Sequence, residues 1–596
     1  MKSLVNLHLS VLRNVGQLCN VDVAMDEMNL IHRAQGEGDG YLTIVLPKLA
    51  KALEKGLSDG FWPSQDVGST WDHHRGLPRF LGGFLTRVFD RSGSLLDSPD
   101  TNCIWAVRQF CYLTHKVERE CSPKRTALAF SQFVQTDEEL GKSWELVDPV
   151  LLEDLKKVFI LLFGDMMDHI EGVIASYDLI PSHGPGAVAE RLGPVGKREF
   201  AYWPERLETV FPHWRYQSNL PKWKADCGSP LDSEIPVRVI SVPKTQSTPR
   251  IIAIEPAAMQ YAQQGLKREI YEYVARSGLN SLIGFAEQER NQELARQGSI
   301  SGSLSTLDLS EASDRVHAEL VWSLLERWPH VLDFVSSTRS RIADVPEHGI
   351  IHLQKFASMG SALTFPIESM VFLAITSLAV RQEGRINISL KTLRGKVSVY
   401  GDDIIVPTYA TSRAIHLLEH FGAKVNRNKS FWSGSFRESC GAEFYNGTDV
   451  SVVRLRQELP SSRGDAAQIA ALIDFRNRCL LAGLWGVVRE IDEELESFIE
   501  LPHVSASHPP VGYLHLISFT GNSQLKVRYS EPLQRFEHRV SYLRGMSKTY
   551  RIDGEAGLLE WFHGSLTRED LLDRYASQER ATSFCIKRGW TSVQQH

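Results

Sequence analysis

A chain of 596 residues is too long for a single hydrophobic core, so several subdomains are expected. Its 42% hydrophobic and 23% charged residues are those of an ordinary soluble globular protein. The formal net charge of −6 excludes a bulk electrostatic pull toward nucleic acid, so any RNA or DNA contact must come from a local basic channel.

The first residues, through Gly16, are amphipathic: Asn6, His8, Arg13 and Asn14 interrupt the apolar positions. A signal peptide would need a continuous apolar run there. From Met1 to about Asp226, helical patterns alternate with breaks such as Gly60–Pro63 and His183–Gly186. The second break lacks the strand-glycine-lysine pattern of a phosphate loop and reads as a rigid turn. Eight cysteines are scattered without a C-x-x-C pair, which indicates reduced thiols in a cytosolic setting rather than a disulfide or zinc framework.

Val237 to Ile254 changes character, with β-branched runs around a polar loop that predict two strands joined by a loop carrying Lys244 and Arg250. A helix is expected over Ala257–Ser277, then a strand from Leu304 that ends at Asp308 and runs into a turn or helix start. A helix over Val316–Trp328 and a loop-rich stretch lead to Lys355–Gly360. A long apolar helix follows, from about Ala362 to Arg381. Its most apolar part, Met370–Val380, falls short of the ~20 residues a membrane span needs and reads as a buried helix.

Next comes Tyr400-Gly401-Asp402-Asp403 between two apolar runs, a strand, two-residue turn and strand. Its tip is expected to present two adjacent carboxylates, whose repulsion is costly unless a cation shares them. Thr411–Phe421 is helical, and Asn426–Ser430 turns into another strand. After about Ser451 the chain is expected to be mainly helical, with a linker at Leu501–Gly512. The helix around Val488–Leu501 is acidic on one face, which reads as solvated.

Paired carboxylates on a hairpin suit divalent cations and phosphoryl transfer. Two cations about 4 Å apart need at least three anionic ligands from adjacent strands, and Asp308 is the residue to bring beside Asp402. One ion would activate a primer 3′-hydroxyl and the other would hold the triphosphate. Asp308 could instead cap a helix, although Ser310 or Ser313 can fill that role. His416, Glu419 and His420 satisfy the H-x-x-E-H pattern of inverted zinc proteases, but Ile415, Leu417, Leu418 and Phe421 leave them on an outer, wet face.

DLSEASD, SMGSALTFPIES, YGDD and NRNKSFWSGSFRESCG, in this order, closely resemble the RNA-directed RNA polymerases of the leviviruses, positive-strand RNA bacteriophages. VPKTQSTPRIIAIEP resembles the basic motif that precedes them, and HGPGAV another segment of the family. The resemblance covers about Pro181 to Arg456. It implies an α+β right-hand fold with fingers, palm and thumb and an antiparallel palm sheet. The corresponding regions would be 1–303 for the N-terminal region and fingers, with the basic motif at 237–256. The palm would occupy 304–450, with a fingers-like insertion at about 329–356, and the thumb and C-terminal region 451–596.

The same resemblance implies that Asp308, Asp402 and Asp403 are catalytic ligands of two magnesium ions, with manganese as a substitute. Asp314 would sense the ribose 2′-hydroxyl, as a carboxylate can accept that proton. A reverse transcriptase, the alternative with the same palm chemistry, blocks the hydroxyl with a bulky side chain. Lys244, Arg250 and Arg238 would contact the triphosphate, with solvated loop charges as their bland alternative. Lys429 would protonate the pyrophosphate. Ser358, Met359 and Gly360 would form a flexible loop under the nucleotide. Some polymerases have Asn where this chain has Ser361, which leaves the second partner of the sugar hydroxyl open.

Glu438–Tyr445 resembles a hairpin that supports the primer end, with Cys440 as a small buried residue. Expected partners are an RNA template and product and ribonucleoside triphosphates. By resemblance alone, the host elongation factors Tu and Ts and an mRNA-binding ribosomal protein join them in the cytoplasm of a bacterial host, without a membrane.

Overall fold

In a computed structural model, residues 3–63, 73–74, 76–184, 186–192, 197, 200, 203–216, 234–506, 512–519, 525–546 and 583–592 are described. The turn expected at His183–Gly186 and the linker at Leu501–Gly512 lie in part outside the described residues.

Several helix starts are set by short polar caps. α1 (Leu4–Cys19) begins after Ser3, whose hydroxyl accepts from the Asn6 amide at 3.3 Å. α2 (Leu46–Asp59) and α3 (Thr101–Tyr112) follow; Asp100 caps α3 by accepting from the amides of Asn102 and Cys103. α4 (Pro123–Trp144) and α5 (Pro149–Ala175) each place proline in the first turn, where no amide hydrogen is needed.

β1 (Val237–Val242) and β2 (Arg250–Ile254) form the expected hairpin, with Arg250 opening β2 rather than lying in the loop. α6 spans Ala257–Arg276 and α7 spans Glu289–Ser301, ahead of β3 (Leu304–Leu307).

The helix expected at Val316 starts later, as α8 (Ala318–Leu325). The His317 ring caps it by accepting from the Glu319 amide at 3.1 Å. Pro329 then opens a separate helix, α9 (Pro329–Thr338), so the single helix expected to Trp328 is cut short. The stretch expected to be loop-rich also holds a hairpin, β4 (Ile342–Val345) and β5 (Gly349–His352). β4 pairs parallel with β1, making a four-stranded sheet in the order β2-β1-β4-β5. This sheet packs on Phe130 and Phe133 of α4.

α10 (Thr364–Gly384) is longer than its apolar centre suggested, and it is long and apolar enough to cross a membrane. It nevertheless lies inside the protein, apolar all round because neighbours surround it. Beside it stands the antiparallel sheet β3-β7-β6, made with β6 (Ser398–Tyr400) and β7 (Asp403–Pro407). α11 (Thr411–His420), then β8 (Phe436–Ser439) and β9 (Ala442–Tyr445), complete this region. The α+β architecture with an antiparallel central sheet is therefore as expected.

α12 (Ala466–Leu481) and α13 (Trp485–Phe498) follow, and α13 buries Val487, Val488, Ile491 and Leu495 while Glu493 and Glu496 stay exposed. Beyond them the described residues are strands, contrary to the helical expectation. Arg535–Met546, for example, pairs on both sides, with Val527–Ser530 and Ser583–Thr591. The period-two series Phe536, His538, Val540 and Tyr542 explains it.

The cores cut across the sequence boundaries expected at 303 and 450. One core gathers residues from Leu155 to Val425. A second joins Leu4–Val117 to residues between Phe431 and Leu516. Arg108 ties this second core together. Its fully buried guanidinium pairs with Glu54 of α2 at 2.9 Å and Glu443 of β9 at 2.6 Å, while Arg454 pairs with Glu443 at 2.8 Å. Burial pushes both carboxyls up. At Glu443 the two arginines outweigh it and hold the group below its usual range.

Arg108→Met should strand the buried Glu54 carboxylate, leave Glu443 with Arg454 alone, and lower stability by roughly 3–5 kcal/mol. The midpoint of urea unfolding reads that loss, and an unchanged midpoint would show that the ion pairs contribute nothing net.

Candidate active site

Turn chemistry sets the centre of the site. Tyr400 pairs with Asp403, so Gly401 and Asp402 are the two central residues of the hairpin. Gly401 has φ +60°, the first central position of a type II′ turn. A side chain there would also meet Phe365, whose Cε2 lies 2.6 Å from the position of a Cβ. The Gly401 amide donates to Ser369 of α10 at 3.1 Å, which fixes the hairpin to the core.

The two carboxylates do not share the tip. Asp402 stands there within reach of solvent, while Asp403 opens β7 and turns toward the neighbouring hairpin. There Asp403 accepts from the Ser439 hydroxyl at 3.4 Å, and its backbone carbonyl accepts from Asn291 of α7 at 3.1 Å. Enclosing protein, and then the Asp308 charge, raise the Asp402 carboxyl above its usual range. Burial, then Asp402, pushes Asp403 up to about 6.

Asp308 follows β3 directly, beside β7 where Leu307 pairs with Ile404. Its carboxylate caps no helix. Oδ2 accepts from Asn426 at 2.9 Å and Oδ1 from the Lys429 ammonium at 3.2 Å. Its backbone is held by the Asn426 amide and the Ser430 hydroxyl. Burial works against the Lys429 charge, but Asp308 and then Glu438 outweigh it and hold the ammonium above its ordinary value. As placed, Lys429 is the counter-ion of Asp308.

Lys244 lies within electrostatic range of Asp402 and Asp308, and its ammonium is lowered by burial and then by Arg250. Lys244 thus brings positive charge toward the carboxylates, and Arg250 lies close enough to act on Lys244. Arg238 instead donates to the Ala189 carbonyl at 3.3 Å.

Asp314 sits on a 3₁₀ turn, Ala312–Arg315, and its Oδ1 accepts from Ser358 at 2.9 Å and from Lys355 at 3.1 Å. Gly360 lies against β2, and the Met359 carbonyl accepts from the Ala253 amide at 2.9 Å. Ser361 points away, donating to Gln263 of α6 at 3.0 Å.

Two residues at this site escaped sequence reasoning. Lys355 is fully buried, where a lysine in a stretch expected to be loop-rich reads as surface. Glu368 of α10 is buried with Oε2 lacking a partner among the described residues, and its carboxyl is pushed far up by burial, then by Asp402 and Asp314. A carboxylate inside an apolar helix was the available signal.

Residues of the hairpin β8–β9 close one side. Burial and then Asp403 push Glu438 up to about 8. Cys440 is half-buried rather than buried, at a turn with φ +49°.

Elsewhere, Glu419 pairs with Arg427 at 3.1 Å, and the His420 ring accepts from the Asp148 amide at 3.0 Å. The zinc-protease pattern is thus engaged in other contacts. Among the described residues no three His, Cys, Asp or Glu side chains are gathered closely enough to hold a metal as they stand. The donors at Asp308 and Asp402 are nonetheless hard oxygens carrying facing negative charge, which fits a divalent cation such as magnesium or manganese.

Residues 233–468 match the family model described as RNA replicase, beta-chain, and this stretch contains every candidate residue named above. The chain is 37% identical over 250 residues to the RNA-directed RNA polymerase beta chain of Escherichia phage MS2, covering 42% of this chain and 41% of that one. It is 37% identical over 256 residues to the beta chain of Enterobacteria phage fr, covering 42% of each. For the beta subunit of Escherichia virus Qbeta the identity is 32% over 249 residues, covering 42% of this chain and 39% of that one. The chain thus spans about two fifths of the length of the curated relatives it matches.

Among solved structures, the RNA-dependent RNA polymerase of a human picorbirnavirus is similar at a TM-score of 0.35 and 11% identity, covering 44% of this chain and 57% of that one. Over residues 233–468 this chain is similar to the RNA replicase, beta-chain, family.

Proposed function

We propose that this chain is an RNA-templated RNA polymerase that replicates a positive-strand RNA phage genome from ribonucleoside triphosphates. The observation that carries the reading is the meeting of Asp308 and Asp402 across β3 and β7, with Asp314 six residues beyond Asp308 beside the Ser358–Gly360 loop.

Asp308, Asp402 and Asp403 would hold two divalent ions, magnesium with manganese as substitute. When bound, such ions supply charge stabilisation and a lowered pKa for the attacking hydroxyl. Lys244 and Arg250 bind the triphosphate anion, with Arg238 as a third contact. Asp314 accepts the ribose 2′-hydroxyl. Lys429, the counter-ion of Asp308, would protonate the departing pyrophosphate. The hairpin of β8 and β9 supports the end of the growing strand.

In this reading 1–303 form the N-terminal region and fingers, 304–450 the palm and 451–596 the thumb and C-terminal region. RNA template and product, elongation factors Tu and Ts and an mRNA-binding ribosomal protein are the proposed partners, in the cytoplasm of a bacterial host.

The test is incorporation of labelled nucleotides by the full chain, purified with whatever host proteins accompany it. Ribonucleotide incorporation on an RNA template should require a divalent cation and exceed deoxynucleotide incorporation. Preference for deoxynucleotides would replace this reading with a reverse transcriptase, and metal-independent or absent synthesis would remove it.

A further inference from the structure

We propose that Lys355 is a positioning residue that sets the choice of ribose over deoxyribose by fixing one oxygen of Asp314. The inference rests on the reading of Asp314 as the residue that faces the sugar.

A buried ammonium is costly unless its surroundings replace water. Around the Lys355 Nζ, which no solvent reaches, stand Asp314 Oδ1 at 3.1 Å, Asp137 Oδ1 at 4.0 Å and the Phe133 ring, 3.4 Å to its centroid. The backbone that carries it is clamped. Its amide donates to Asp137 Oδ1 at 3.0 Å, and its carbonyl accepts from Arg339 at 2.8 Å. His317 forms an antiparallel bridge with it. The donor therefore arrives at Asp314 from a fixed frame.

Asp314 has less support from its own segment. Its short 3₁₀ turn follows Glu311, a non-glycine residue at φ +55°, and the Glu311 carboxylate is held by Thr136 at 3.0 Å. Lys355 and Ser358 both bond Oδ1, while Oδ2 makes no hydrogen bond to a described residue. A carboxylate fixed through one oxygen offers the other as a directed acceptor. A 2′-hydroxyl can donate to it and a deoxyribose cannot, so the discrimination depends on Oδ2 keeping its direction. A methionine would fill the same space and pack on Phe133 without a buried charge. A purely structural role is thus better served by an apolar side chain.

Four variants of the full chain test this: Lys355→Met, Lys355→Gln, Asp314→Ala and the Lys355→Met/Asp314→Ala double variant. For each, kcat/KM is measured for a ribonucleoside triphosphate and its deoxy counterpart on one RNA template, with folding checked by thermal melting. Lys355→Met should lower the ribo-to-deoxy ratio by roughly tenfold, mainly through a raised ribonucleotide KM. Lys355→Gln, which can still donate, should lower it less. The double variant should be no less selective than Asp314→Ala alone.

If Asp314→Ala lowers the ratio while every Lys355 variant that folds keeps the wild-type value, the proposal is overturned and the reading of Asp314 stands. Equal losses for both substrates would likewise overturn it and make Lys355 structural. An unchanged ratio in Asp314→Ala removes the reading itself, and the proposal with it.

Discussion

Asp402→Asn is expected to abolish nucleotide addition, with a fall in kcat of about a thousandfold or more. Asparagine keeps the size of the side chain and its place in the turn, so the hairpin should form as before. What disappears is the negative charge that faces Asp308. The folded carboxyl is raised above its ordinary value, so at neutral pH its ionised form opposes folding. Removing that charge should leave thermal stability unchanged or slightly higher, and RNA binding intact. A rise of the melting temperature on adding magnesium should be visible in the wild type and smaller in the variant, since a cation bound only by the folded state stabilises it. Undiminished incorporation by Asp402→Asn would sink the polymerase assignment.

The hairpin was legible because its signals are local. β-branched runs on either side of a Gly-Asp pair specify strand, turn and strand, and the apolar run after Ala362 specifies a buried helix. The division between Asp402 and Asp403 was less legible, since it depends on which residue pairs with Tyr400. Lys355 was hidden because its burial is made by Phe133 and Asp137, more than two hundred positions earlier. The strand at Ile342–Val345 has the same cause: its parallel partner is Val237–Arg238, far away in sequence. The joint core of Leu4–Val117 with residues beyond Phe431 is a long-range choice of the same kind. No periodicity within either segment names the other.

Gly360→Ala is expected to cost function heavily, though less than Asp402→Asn, and for a steric reason. Gly360 has φ +137°, and a Cβ there would lie 1.9 Å from the Ala253 carbonyl oxygen and 2.9 Å from the Ala253 carbonyl carbon. Both atoms are backbone of β2, which cannot step aside without breaking its pairing with β1. The loop must therefore lift off β2, losing the bond from the Ala253 amide to the Met359 carbonyl. Ser358, two residues earlier, would then leave Asp314.

A stability loss of roughly 3 kcal/mol combines this overlap with the unfavourable backbone angle. Activity should fall by about a hundredfold, as displacement of a positioning loop by an ångström is enough for that. Gly302→Ala is the control. It also requires a positive φ, +65°, but a Cβ there meets nothing within 4 Å, so only the backbone strain of about 1 kcal/mol should appear. Urea midpoints and incorporation rates of the two variants separate the effects. If Gly360→Ala behaves like Gly302→Ala, the loop does not depend on its close approach to β2.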